Sequence, residues 1–231
     1  MPSWIDYWNS DHPIYVNDRH KILHAAGIAR DFARHIKTRD AVVLDYGCGE
    51  ALYGEDVMRH CGRLVLSDAA PAVRERLAER VKAIPGITVQ SSEETAASAD
   101  GGFDLIVVNS LLQYLSLDQL SSLLTLWRRL LKPDGRLVIA DVIPPDVSPL
   151  TDATALLSFA LKGGFVGAAL LGLVRTALSD YRALRGELGF TTHEKYAFIA
   201  MLSRHGFTAE RQYPNFGHNQ ARMTFVAKVA V

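Results

Sequence analysis

Only two cysteines, Cys48 and Cys61, occur in 231 residues, too few for a disulfide framework or a thiolate metal cluster. That scarcity suits a reducing compartment such as the cytoplasm. Net charge is also missing, because 25 Lys and Arg balance 25 Asp and Glu. No positive field draws the chain to a polyanion, so nucleic acid is excluded as a partner class and a small molecule is expected. The segment Met1–His20 lacks a basic stretch followed by an apolar one and carries Asp6, Asp11 and Asp18 among aromatics, so no secretory signal is read there. Internal repeats are absent, and the one biased tract, Ser91–Ser98, reads as a loop. With 48% hydrophobic and 22% charged residues, the composition is that of an ordinary folded chain able to bury one core.

One apolar run stands out. From Ala153 to Val174 the only formal charge is Lys162, and the length approaches the roughly 20 residues that cross a bilayer. The central Lys162 and the Gly163-Gly164 pair oppose a span, since glycine weakens a helix and a mid-bilayer charge is costly. A buried helix pair, a lid, a peripheral membrane contact and a homodimer face through Gly163, Gly167 and Gly172 stay open.

Short β-branched apolar runs mark five strands, Ala41–Asp45, Arg63–Asp68, Gly86–Gln90, Phe103–Asn109 and Arg136–Val142. Helical spacing over Leu52–His60, Pro71–Ile84 and Ser116–Leu131 separates them. Such alternation predicts a doubly wound α/β fold, a mostly parallel sheet covered on both faces. A helix precedes it over Asp18–Ile36. After the prolines at 144, 145 and 149, Leu150–Arg185 predicts two apolar helices and Thr192–His205 a third. Phe207–Tyr213 and Arg222–Val229 alternate as an antiparallel edge hairpin, giving seven strands in all. The expected organisation is one domain over 1–231: an N-terminal helical cap (1–39), a core (40–143), a helical lid or insertion (144–205) and the edge hairpin (206–231).

The first strand ends in Val43-Leu44-Asp45-Tyr46-Gly47-Cys48-Gly49, which puts a glycine turn at the carboxyl edge of the sheet, where open α/β folds bind ligands. A dinucleotide fingerprint would need a third glycine three residues after Gly49, and Leu52 stands there. Asp45 decides further: a carboxylate beside the turn repels a pyrophosphate and attracts an ammonium or sulfonium. The second strand ends in Ser67-Asp68, nineteen residues past Gly49, where a carboxylate accepts both hydroxyls of a ribose, with Ala69 beside it. An N-cap for the helix at Pro71 is the bland alternative for Asp68.

These motifs resemble the class I S-adenosylmethionine-dependent methyltransferase family, with VLDYGCG, LVLSD, FDLIVVNSLLQYL and LLKPDGRLVIADV in the family's order over roughly residues 40 to 143. The resemblance implies a Rossmann-like methyltransferase fold, S-adenosylmethionine as cofactor and a small organic acceptor for the methyl group. It implies cofactor contacts from Asp45, Tyr46, Gly47, Gly49, Asp68 and Ala69. At the position after the third strand it puts Ser92 and Glu93 where an acid usually meets the adenine. Asn109 and Ser110 fall beside the methionine part of the cofactor and Leu111 near the adenine. Asn109 could instead cap the next helix. The turn used by enzymes that methylate base or amide nitrogens, N/D-P-P-Y, is absent at Asn109-Ser110-Leu111-Leu112. No cysteine follows that strand to act as the nucleophile that cytosine-C5 enzymes need; Asn109 stands where metal-dependent catechol-type relatives carry a carboxylate, so no metal is expected.

Displacement at a sulfonium needs nucleophile and methyl held about 3 to 3.5 Å apart, and a base only where the nucleophile carries an acidic proton. The candidates are Tyr114, His193, His218 and Asp141, with packing the commoner role for any single one. Leu156, Leu157, Phe159, Leu161, Phe165, Val166, Leu170, Leu171 and Leu173 give the insertion an apolar character that suggests a lipophilic acceptor. Trp4, Tyr7, Trp8 and Tyr15, with Arg19 and His20, are placed to fold over the cofactor, Arg19 pairing its carboxylate.

Overall fold

The computed structural model describes residues 4–9, 15–177 and 190–230. Helices α1 (Trp4–Asn9) and α2 (Asp18–Ala33) precede β1 (Val42–Tyr46); α3 (Gly54–Met58), β2 (Arg63–Ser67), α4 (Pro71–Val81) and β3 (Ile87–Gln90) follow. Next come α5 (Ser92–Ala96), β4 (Phe103–Asn109), a 3-10 turn over Leu112–Tyr114, α6 (Leu117–Leu130) and β5 (Leu131–Val142). Helices α7 (Pro149–Gly163), α8 (Val166–Ala177) and α9 (Lys195–Arg204) and strands β6 (Phe207–Gln212) and β7 (Met223–Val229) complete the described chain. The seven-stranded sheet runs β3-β2-β1-β4-β5-β7-β6, parallel through β5, with β7 antiparallel between β5 and β6. This is the fold class and the edge hairpin that the spacing predicts.

The continuous apolar strands are explained by burial on two sides. Leu44, Val65, Ile106, Val108, Leu137 and Ile139 face α6 and α9 through Leu124, Trp127, Phe198 and Leu202. Their neighbours Val43, Leu64, Leu66, Leu105, Val107 and Val138 face α2, α3 and α4 through Ile28, Phe32, Val57 and Leu77. Successive side chains point to opposite faces, so a strand covered on both reads apolar throughout. β1 sits between β2 and β4, and the direction of winding reverses there. The crevice beyond its carboxyl end is the ligand position of such folds.

Three expectations need correction. Ser91–Ser98 is not a loop: Ser91 Oγ accepts from Glu94 N–H and the Glu94 carboxylate accepts from Ser91 N–H, a capping box that starts α5. The helix expected over Leu52–His60 begins only at Gly54, because Ala51 is held at φ 38° and the chain is still turning. The fifth strand starts at Leu131, five residues before Arg136, as its first residues pair with Phe103 across a register shift. The apolar run 153–174 is broken at Gly164, which caps α7 at φ 73°, and no described helix is long and apolar enough to cross a membrane. The part of the expected second apolar helix after Ala177 lies largely outside the described residues.

Candidate active site

A cleft of about 690 Å³ opens at the carboxyl ends of β1, β2 and β4. The turn after β1 forms its floor. Gly47 (φ 74°) and Gly49 (φ 55°) take left-handed conformations that favour glycine, and Gly47 N–H and Cys48 N–H donate to the Ser67 carbonyl at 2.8 and 3.0 Å. A Cβ on Gly47 would lie 2.9 Å from a methyl of Leu111, so the missing side chain is what lets Leu111 lie over the turn. Asp68 closes the wall from β2. Its Oδ2 accepts from Gly49 N–H and its Oδ1 from Ala70 N–H, each at 2.9 Å. The bond to a backbone two residues on is an Asx-type turn; the residue capping α4 is Ala70, without a side-chain bond, so the bland alternative of Asp68 as N-cap does not hold.

Tyr46, Ala69, Ser92, Asn109, Ser110 and Leu111 join Gly47, Gly49 and Asp68 in lining the cleft. Asp45 does not reach its surface. It is 1% exposed beneath the turn, with Oδ2 accepting from the Tyr53 hydroxyl at 3.0 Å and Oδ1 without any partner. Burial, with nearby Asp68, pushes its carboxyl up to about 7 against the pull of the Tyr53 hydrogen bond. Asn109 Oδ1 is likewise buried without a partner. Among the described residues these two oxygens are unsatisfied on adjacent strands, β1 and β4, around the turn, and buried acceptors in that condition call for a donor.

The other expected residues are dispersed. Glu93 is exposed and off the cleft wall, because α5 turns it outward after Ser92. Arg19 is also off the wall: its guanidinium donates to the Gly163 carbonyl and ties α2 to the end of α7. Tyr114 lines the cleft in an aromatic cluster with Trp4, Trp8 and Phe190, at centroid distances of 4.7 Å to Trp4, 5.7 Å to Trp8 and 5.6 Å to Phe190. His193 packs against Phe198 at 4.9 Å away from the cleft, where burial pushes its ring down. Asp141, next to last in β5, sits at φ 61°, and Ser110, which directly follows β4, at φ 56°; the Ser110 hydroxyl donates to Asp141 Oδ2 at 2.7 Å. Arg222 donates to the same oxygen at 2.7 Å and to Asp152 of α7 at 3.2 Å. Both carboxylates hold the Arg222 guanidinium charged, and its pKa lies above the ordinary arginine value despite burial.

Of the N-terminal aromatics, Trp4, Trp8 and Tyr15 line the cleft, and His20 instead stacks on Phe165 at 5.3 Å. Of the insertion, the described helices α7 and α8 pack toward α2, and Phe190 meets Trp4 and Tyr114 of the cleft. Ala160, Phe165 and Ala169 are buried with Leu23, Leu156 and Phe159, and Leu161, Leu170 and Leu171 face outward. Sequence reasoning missed His24, Tyr53, Arg222 and Asp152. For His24 there is a weak signal, the four-residue spacing from His20 that puts both on one helix face; for Arg222 and Asp152 there is none. Among the described residues no three His, Cys, Asp or Glu side chains are grouped to hold a metal ion.

Residues 43–135 match the family model of a methyltransferase domain. Over 144 residues the chain is 28% identical to a ubiquinone biosynthesis O-methyltransferase of Xanthomonas oryzae pv. oryzae, an alignment covering 58% of this chain and 55% of the relative. The chain therefore matches about half the length of that relative. The fold is shared with magnesium protoporphyrin IX methyltransferase of Synechocystis solved with bound S-adenosylhomocysteine, at TM-score 0.60 and 13% identity, covering 97% of this chain and 92% of that one. It is shared also with the N-methyltransferase NodS of Bradyrhizobium japonicum solved with the same product, at TM-score 0.60 and 18% identity, covering 97% and 95%.

Proposed function

We infer that this chain, a member of the class I S-adenosylmethionine-dependent methyltransferase family, transfers a methyl group to a small lipophilic organic acceptor. The observation that carries the reading is Asp68. Each of its carboxylate oxygens accepts one backbone N–H, and a carboxylate has about four lone-pair sites, so one site on each oxygen remains for the two hydroxyls of a ribose. S-adenosylmethionine supplies, when bound, an electrophilic methyl on a sulfonium with a neutral thioether as leaving group. Gly47 and Gly49 leave the backbone open to close approach, Leu111 covers the turn, and the Ser92 hydroxyl meets a purine edge. The unpartnered Asn109 Oδ1 accepts from the ammonium of the methionine part, and that positive charge drives buried Asp45, whose carboxyl burial pushes up to about 7, toward its carboxylate form. Trp4, Ile5, Trp8, Tyr114 and Leu123 form an apolar side of the cleft that supports a lipophilic acceptor and excludes water from the transfer.

We read residues 1–231 as one domain. The two buried free thiols favour a cytoplasmic setting, and the outward Leu170, Leu171 and Val174 of α8 favour a homodimer. Calorimetric titration of the full chain with S-adenosylhomocysteine is expected to saturate. Asp68→Ala is expected to weaken binding at least about tenfold, since hydrogen bonds to a charged group contribute about 1.5–3 kcal/mol, with a melting curve confirming that the variant is folded. No heat of binding at millimolar S-adenosylhomocysteine overturns the reading.

A further inference from the structure

Between α2, α7 and the turn joining β6 to β7 lies a second cavity, of about 680 Å³. Apart from His24, its described walls are not those of the cleft. Two helix stripes form its long sides. Leu23, Gly27, Arg30 and Arg34 recur at three- and four-residue spacing along α2 and just past its end, and Thr151, Ala155, Ser158 and Lys162 do the same along α7, so each set shares one helix face. The middle positions are small. Gly27 stands inside α2, where glycine weakens a helix, yet a Cβ built on it would meet no atom within 4 Å. No close packing explains the glycine, and the space beside it belongs to the cavity.

Among the described residues, Arg30, Arg34 and Lys162 line this cavity against one acid, Asp31. That acid is already committed: its Oδ1 accepts from the Arg34 guanidinium and its Oδ2 from Gly217 N–H at 2.7 Å. Arg30 adds only to the field at Asp31, and the side chains of Arg30 and Lys162 make no hydrogen bond or ion pair among the described residues. His24 and His218 also line the walls, and burial pushes both rings down, His24 to about 4, so at neutral pH they add no charge. What remains is an excess of positive charge at a concave surface. One wall is flat. His218 lies on Phe159 with centroids 4.8 Å and planes 12° apart, and such a surface offers offset stacking to a further ring.

We propose that this cavity is a binding site, separate from the transfer cleft, for an organic anion that carries a planar ring. The ring takes the space over Gly27 against the pair of His218 and Phe159, and Arg30 and Lys162 supply the opposite charge. An aromatic carboxylate is the simplest member of the class. A helix glycine beside open space, two cations without a counter-ion and a stacked planar wall each point to it, and none of them depends on the methyl donor. A neutral aromatic would leave both cations unanswered. A bare inorganic anion would leave the flat wall and the space over Gly27 unfilled, and a cation would be repelled.

Calorimetric titration of the full chain with 2-naphthoate tests it, beside 2-naphthamide, which keeps the rings and lacks the charge. The carboxylate is expected to bind saturably and the amide at least about fivefold more weakly. Arg30→Gln and Lys162→Gln should each weaken the carboxylate by about two- to fivefold and leave the amide unchanged. Gly27→Leu fills the space. It should melt no lower than the parent, since leucine favours a helix, and lose at least about tenfold in affinity for 2-naphthoate, because a packed interior leaves no room for both. Saturating S-adenosylhomocysteine should leave 2-naphthoate bound. No saturable binding of 2-naphthoate, equal binding of the amide, or a folded Gly27→Leu variant that binds as the parent does overturns the proposal. Displacement by S-adenosylhomocysteine, or methyl label passing from S-adenosylmethionine to the naphthoate, would put the anion in the cleft and overturns it equally.

Discussion

Replacing Asp45 with Asn should make the protein more stable at neutral pH, although Asp45 belongs to the most informative motif of the sequence. The carboxyl is 1% exposed, one of its oxygens has no partner, and its protonation persists up to about pH 7. In the unfolded chain it ionises near 3.8. Between those values the unfolded state releases a proton that the folded state retains, so rising pH favours unfolding across that window. Below pH 3.8 this contribution is absent; above about 7 it is complete and level. At 1.36 kcal/mol for each pH unit of the window, the cost reaches up to about 4 kcal/mol at pH 7.5.

Asn at position 45 keeps the shape and an oxygen for the Tyr53 hydroxyl, which now donates to Asp45 Oδ2, and has no charge to lose in either state. Thermal denaturation of both proteins from pH 4 to 8 measures the difference. For a domain of this size about 1 kcal/mol moves Tm by about 2–4 °C, so the variant should gain up to roughly 8–16 °C at pH 7.5 and almost nothing at pH 4. A variant less stable than the parent at pH 7.5, or a difference that does not change with pH, refutes the reasoning. The stability given up at Asp45 is consistent with a site kept ready for a cation, since a positive ligand beside the turn recovers it by favouring the carboxylate.

Arg222→Met should lower stability by about 3–5 kcal/mol, because it strands the carboxylates of Asp141 and Asp152 at a largely buried site; calorimetric melting reads it, and a change under 1 kcal/mol would show that water already screens the pair. Gly47→Ala should cost about 1–2 kcal/mol for an alanine at φ 74° and push Leu111, whose methyl lies 2.9 Å from the new Cβ position, into the cleft. Its S-adenosylhomocysteine affinity should fall, with Leu111→Ala in the same chain restoring part of the affinity and none of the backbone cost. Unchanged affinity in Gly47→Ala would place the ligand away from this turn.

The strands were legible because burial on both faces leaves them apolar without interruption, and the turn at Gly47-Cys48-Gly49 because left-handed backbone selects glycine. Asp68 was legible from its spacing to that turn. Glu93 and Arg19 were misplaced for a shared reason: position along the chain locates a residue near the site, but the facing of its side chain depends on local structure. The Ser91 capping box turned Glu93 outward, and the open carbonyl of Gly163 at the end of α7 claimed Arg19. Of the apolar insertion, the described helices α7 and α8 pack on Leu23 of α2 and on Val16 just before it, contacts that no spacing in the sequence specifies.

What no sequence pattern carried is the pairing of Ser110 with Asp141. Both sit at positive φ, 56° and 61°, a conformation that costs a non-glycine residue about 1–2 kcal/mol, and neither is a glycine. The strain persists because each residue holds the other: the Ser110 hydroxyl bonds Asp141, Arg222 and Asn215 fix Asp141 from the β6–β7 turn, and Asp152 continues the chain of charge into α7. Strained backbone maintained by a network at the ends of β4 and β5 is the kind that marks a working site. That network joins the wall of the cleft at Ser110 to the helix bearing Phe159 through Asp141, Arg222 and Asp152.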